Sequence, residues 1–187
     1  MNGITFLTAA LITVLITALI TGLGAIGLAS AKDPATITLD PGHPVVLFRV
    51  YDGDTFKDRD GQAYRLHGID APELCQPWGP RARLELAGLL SQGQVWIWRA
   101  GKSYQRQVVD AMVLHDDGIS MDVAAEMLRA GLAIVDDRYV SGPRERALLA
   151  IEEGAKTSGA GMWAHHPESP RDWRAEHRGV RPPGCVH

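Results

Sequence analysis

Arg65-Leu66-His67-Gly68-Ile69-Asp70-Ala71-Pro72-Glu73 is the stretch from which the rest of the chain can be laid out. It leaves a strand, Ala63-Tyr64-Arg65-Leu66, and runs into an acidic loop closed by an Ala-Pro pair. Working upstream, Asp60-Gly61 is a turn, Thr55 to Lys57 a strand, Asp52-Gly53 another turn, and Val45 to Val50 a first strand. This meander puts Asp54 near one strand end and Arg65 on a rigid strand. Downstream, Pro80 opens a helix in which Ala82, Leu86, Leu89 and Leu90 recur at helical spacing, stopped by Gly93. Val95 to Arg99 and Val108 to Leu114 read as two more strands, with Arg106 just before the second. Ser120 is positioned to cap a second helix through Ala130, ended by Gly131. Pro143 to Ser158 reads as a third, with Leu148, Ile151 and Ala155 on its inner face. Five strands with a helix inserted after the third predict an α+β fold built on a five-stranded barrel of the OB type.

Three short segments carry the chemistry: Asp52-Gly53-Asp54-Thr55, the Arg65 to Glu73 stretch, and Tyr104-Gln105-Arg106. They supply a tight acidic turn, a second acidic loop with a carboxylate to spare, and two arginines. Hydrolysis of a phosphodiester needs that combination. The diester anion repels nucleophiles, and attack by water builds further negative charge on the equatorial oxygens, so fixed positive charge must face them. Hard cations such as calcium take carboxylate and carbonyl oxygens, which Asp54, Asp70 and the loop backbone offer. A further carboxylate must take the proton of the attacking water, and Glu73, three residues beyond Asp70, is placed for it. Arg65 and Arg106 suit the oxygens, because a guanidinium stays charged and binds two of them at once.

Those three segments, their order and the residues between them resemble the thermonuclease, or staphylococcal nuclease-like, family, over about Val45 to Trp163. The Arg-x-x-Gly-Ile-Asp-Ala-Pro-Glu run is the specific part, and Asp-Gly-Asp-Thr alone would be an ordinary turn. Gly131-Leu132-Ala133, Gly161-Met162-Trp163 and the tail Ser169-Pro170-Arg171-Asp172-Trp173-Arg174 are similar to the family as well. The resemblance implies Arg65, Glu73 and Arg106 as catalytic residues. It implies Asp54, Asp70 and the carbonyl of Ala71 as calcium ligands, with Asp52 behind them, and Ca2+ as cofactor. Tyr104 and Tyr139 are the expected substrate contacts. DNA and RNA are the implied substrates, cut with little sequence preference to leave 3′-phosphate ends.

Two departures stand out. Gln105 occupies the place of a glycine in Tyr-Gly-Arg, and a positive φ there would strain the turn by roughly 1 kcal/mol. Asp136-Asp137 stands where relatives carry aromatic residues, which leaves Tyr139 and predicts weaker base stacking. The rival to an enzyme is a nucleic-acid-binding or scaffolding module on the same barrel. Such modules lose acidic and arginine positions that this chain keeps.

The chain has 187 residues and a formal charge of −3, with a pI near 6.1. It lacks the broad basic surface of a protein that coats DNA, so the grip on substrate must be local, weak and salt-sensitive. From Ile4 to Leu28 no side chain is charged, a run long enough to span a bilayer, and Ala29-Ser30-Ala31 is a small-residue cleavage site at its end. Residues 1–31 therefore read as membrane anchor or cleaved signal, residues 32–44 as linker, 45–163 as the catalytic domain and 164–187 as tail. Either reading of the first segment puts the domain outside the cytoplasm, anchored in the inner membrane facing the periplasm or exterior, or secreted. No protein partner is expected. Gly22-Leu23-Gly24-Ala25-Ile26-Gly27 matches a dinucleotide-binding pattern, but no strand precedes it.

Two cysteines, Cys75 and Cys185, would meet an oxidising compartment on export, where they either pair or stay as thiols. A disulfide between them would add roughly 2 to 4 kcal/mol of stability. Other features have structural readings. Asp116-Asp117-Gly118 is a solvated hairpin corner, Trp96 and Trp98 pack on one strand face, and His165-His166 and His187 lie exposed in the tail. His67 can point to the same side as Arg65 and touch the site without acting in it.

Overall fold

The computed structural model describes residues 41–179. The uncharged N-terminal run, most of the linker and Cys185 lie outside the described residues, so the anchor and disulfide expectations are not addressed by the fold. Among the described residues no helix is long and apolar enough to cross a membrane.

The strands are β1 (His43–Val45), β2 (Leu47–Val50), β3 (Thr55–Asp58), β4 (Ala63–Leu66), β5 (Ile69–Asp70), β6 (Gln94–Ser103), β7 (Arg106–Leu114), β8 (Ser120–Asp122) and β9 (Ile134–Val135). The helices are α1 (Gly79–Leu90), α2 (Val123–Arg129), α3 (Gly142–Ser158), a 3-10 turn at Gly161–His165, and α4 (Pro170–Glu176). Sheet order is β1-β6-β7-β4-β3-β2, with β8 added on β7 and a separate β5-β9 ribbon. Neighbours are antiparallel except β4 and β7, which run parallel.

The expected strand Val45 to Val50 is bent. Its first part, β1, pairs with β6 and its second, β2, with β3, so one segment joins both edges of the sheet. Counted as one bent strand, β1 and β2 complete five with β3, β4, β6 and β7, and the sheet curls on itself as an OB-type barrel does. Val46 sits at the bend, exposed. Register shifts between Leu47 and Arg49 and between Arg99 and Gly101 add the local twist that curling needs.

Alternation decides what fills the barrel. On β6, Val95 and Ile97 are buried while Trp96 and Trp98 face away; on β7, Val109, Ala111 and Val113 are buried. Phe56 and Tyr64, neighbours across β3 and β4, stack with ring centroids 5.3 Å apart. On α1 the buried residues are Ala82, Leu86, Leu89 and Leu90, the face its spacing predicts, together with Gly79. Leu86 is fully buried, and truncating such a leucine to alanine costs about 2–5 kcal/mol. On α3, Leu148 and Ala155 are buried and Ile151 packs beside the core. Glu152 on the same face accepts from Val135 N (2.9 Å) and from Lys156 Nζ (2.7 Å), which ties α3 to β9.

Two expectations need correction. Ser120 does not cap α2, because Ser120–Asp122 is extended and hydrogen-bonded to β7, with Met112 opposite Asp122. The helix starts only after it, and Asp122 is the cap, accepting from Ala125 N at 3.2 Å. The number of helices also exceeds three, since Pro170–Glu176 forms α4, capped by Ser169 accepting from Asp172 N.

Candidate active site

Asp52 and Gly53 turn the chain between β2 and β3, and Asp52 Oδ1 accepts from Asp54 N at 3.0 Å. Glycine is required in this turn by packing. A Cβ on Gly53 would lie 2.6 Å from the Cβ atoms of both Ala71 and Ala82, so the acidic turn rests directly on the Ala71 loop and on α1. Asp54 is 2 % exposed. Its Oδ1 accepts from Arg65 Nη1 (2.6 Å) and Thr55 Oγ1 (2.8 Å), and its Oδ2 from Ala71 N (3.1 Å).

Arg65 reaches Asp54 because it stands opposite Thr55 in the β3–β4 register. The other arm of its fork, Nη2, donates to Asp70 Oδ1 at 2.8 Å. The arginine therefore bridges the two carboxylates that the sequence assigns to a metal. Burial pulls its pKa down, but the charges of Asp54 and Asp70 outweigh that and the net shift is upward. Asp52 is pushed up to about 7, first by burial and then by the charge of Asp54.

Glu73 sits on the loop after β5, with a tight backbone around it: Glu73 N donates to Gln76 Oε1 and Gln76 N to Glu73 O. Its Oε1 accepts from Arg174 Nη1 at 2.8 Å. Arg174, on α4, also gives Nη2 to Asp70 Oδ2 (2.6 Å) and Nη1 to Asp70 Oδ1 (3.2 Å). Hydrogen bonds to Asp70 and Glu73 raise its pKa against the opposing effect of burial. Arg106 opens β7 and donates from Nη1 to Thr55 Oγ1 at 3.3 Å.

One cavity of about 910 Å3 is lined by Asp52, Asp54, Arg65, Ala71, Glu73, Tyr104, Arg106, Tyr139 and Arg174. Every residue the sequence singles out for the site lines this cavity except Asp70, which joins the others through Arg65 and Arg174 behind the wall. The Asp70 side chain is 1 % exposed and does not line the cavity, because two guanidinium groups cover its oxygens. Tyr104 is almost fully exposed at the rim, with φ +56. The strain expected at Gln105 falls one residue earlier, since Gln105 is absent from the positive-φ positions. Asp136 is buried and paired with Arg138, whose guanidinium lies 5.2 Å from the Tyr139 ring. His67 lines the cavity and bridges Asp110 Oδ1 (3.0 Å) and the Tyr139 carbonyl (2.8 Å). Cys75 is not free, and Cys185 lies outside the described residues.

Arg174 is the site residue that sequence reasoning missed. Its only signal is the Pro-Arg-Asp-Trp-Arg tail, which carries no chemistry until the fold sets it against Asp70, 104 residues earlier.

The oxygen donors suit a hard divalent cation. Asp54 and Asp70 carry carboxylate oxygens, and the Ala71 backbone a carbonyl, of the kind calcium and magnesium take. Among the described residues no three His, Cys, Asp or Glu side chains converge as ligands, so water or phosphate oxygens would complete such a shell.

A curled barrel presenting buried carboxylates, a loop glutamate and arginine forks in one cleft defines a nuclease. The chain belongs to the staphylococcal nuclease homologues, whose family model matches residues 63–165. An uncharacterized endonuclease of Haemophilus influenzae is 32% identical over 138 residues, covering 71% of this chain and 73% of that protein. Protein ParB of Escherichia coli is 30% identical over 147 residues, covering 74% and 82%. A probable endonuclease LCL3 of Phaeosphaeria nodorum is 30% identical over 160 residues, covering 73% of this chain and 54% of its own length. Asp52, Asp54 and Arg174 fall outside the family match, and tertiary structure is what joins them to it.

Proposed function

We propose that the protein is a calcium-dependent endonuclease that hydrolyses DNA and RNA with little sequence preference and leaves 3′-phosphate ends. The observation that carries this reading is the convergence of Asp54, Arg65, Glu73 and Arg106 on one cleft. Asp54, Asp70 and the Ala71 carbonyl would hold the ion, which when bound polarises the phosphoryl oxygens as a Lewis acid. Glu73 takes a proton from the attacking water while the new O–P bond forms. Arg65 and Arg106 neutralise the charge that accumulates on the equatorial oxygens. The bond from phosphorus to the 5′ oxygen breaks, and that oxygen takes a proton from solvent. Tyr104 and Tyr139, on the cavity wall, are the proposed contacts to the nucleotide.

The uncharged run from Ile4 to Leu28 supports an extracytoplasmic location, membrane-anchored or released after cleavage near Ala31. A pairing of Cys75 with Cys185 belongs to the same proposal. The test is digestion of single-stranded DNA and of RNA by the protein beginning at Lys32, with calcium and then with chelator. Cleavage should stop in chelator and drop by roughly 10²–10⁴-fold in Glu73→Gln, the range of a lost general base. Undiminished cutting in either case counts against the mechanism.

A further inference from the structure

We propose that Arg174 is a tethered cation of this active site, which a divalent metal ion must displace from Asp70, together with helix α4, before Asp70 can act as a ligand. The inference rests on the reading of Asp54 and Asp70 as metal ligands and adds to it a residue from the far end of the chain.

The geometry carries it. Asp70 offers two oxygens, and both are taken. Oδ1 accepts from Arg65 Nη2 and from Arg174 Nη1, and Oδ2 from Arg174 Nη2 at 2.6 Å. A calcium ion would need an oxygen of Asp70 at about 2.3–2.6 Å, the range occupied by that Nη2. Access points the same way. Asp70 is buried and does not line the cavity, whereas Arg174 does, and its side chain is 39% exposed. From the cleft, an ion meets the guanidinium before it meets the carboxylate. Arg65 is less easily moved, because its other arm is held by buried Asp54 and its strand by the barrel.

The same fork holds Glu73 Oε1. Arg174 thus supplies positive charge to two of the site's acids. Its helix is short, seven residues, and a bond from Gln76 Nε2 to the Glu168 carbonyl (2.8 Å) tethers the chain just before it.

Calcium titration by calorimetry on the full chain in mild detergent, after chelator treatment, tests this. Arg174→Gln should bind calcium about tenfold more tightly than wild type, a modest factor because the pair is partly exposed, with Arg174→Lys between. Hydrogen exchange of residues 168–177 in the wild type should speed up when calcium replaces chelator, a readout that needs no variant. Equal or weaker binding by Arg174→Gln, or exchange of α4 indifferent to calcium, overturns the proposal while leaving the metal site intact. Absence of calcium heat in both proteins overturns the metal site itself and this inference with it.

Discussion

Arg65 faces Thr55 across the β3–β4 register, and this one pairing aims its guanidinium at Asp54 on one arm and Asp70 on the other. A planar fork is needed to span both acids, and the lysine ammonium, a point charge on a flexible stem, cannot do so.

Arg65→Lys should therefore lower kcat by roughly 10²–10³-fold, the scale of one lost electrostatic contact in a buried site. Steady-state kinetics at saturating single-stranded DNA checks it, and a kcat within about threefold of wild type would remove Arg65 from the chemistry.

Gly53→Ala should destabilise by about 1–3 kcal/mol, since the new methyl enters space already held by Ala71 and Ala82. The urea midpoint should fall at unchanged slope. Activity should fall with it, because Ala71 is pushed along with the carbonyl assigned to the ion.

His67 predicts a pH dependence of stability. Its Nδ1 faces the Asp110 carboxylate and its Nε2 the Tyr139 carbonyl, two acceptors that only the imidazolium satisfies together. Its pKa is raised above the ordinary 6.5, chiefly by the bond to Asp110, against burial and the nearby Arg144 charge. Arg144 Nε lies 2.9 Å from Asp110 Oδ1 as a charge contact without the alignment of a hydrogen bond. A raised folded pKa gives stability that is complete below the unfolded value and lost as pH rises through the folded one. Urea midpoints of wild type and His67→Gln should differ most below the ordinary 6.5 and converge as the pH climbs through the raised pKa. A constant gap would show that His67 does not titrate there.

Tyr104→Gly should raise stability by up to about 1 kcal/mol, because a φ of +56 disfavours any L side chain and this one, 98% exposed, has little packing to lose. Gln105→Gly should not, since no positive φ falls on Gln105. Urea denaturation of the two variants separates them, and a stabilised Gln105→Gly would put the strain back where the sequence suggested it.

Much of the site was readable along the chain because the acids and Arg65 lie on adjoining turns and strands. Asp52 caps the turn that carries Asp54, Arg65 stands on β4 opposite Thr55, and Asp70 and Glu73 follow within a few residues, so local pairing alone nearly assembles them. The buried face of α1 and the alternation of Val95 and Ile97 against Trp96 and Trp98 follow from periodicities of 3.6 and 2 that side-chain chemistry states outright. The bend at Val46 had no such signal, because pairing with β6 on one side and β3 on the other is settled only when the sheet curls. Ser120 had the chemistry of a cap, but the edge of β7 claimed it for a strand. Arg174 was the least legible. Its contact with Asp70 depends on the whole path of the chain around the barrel, and periodicity, propensity and turn chemistry act over a few residues and hold no information about where a distant arginine will come to rest.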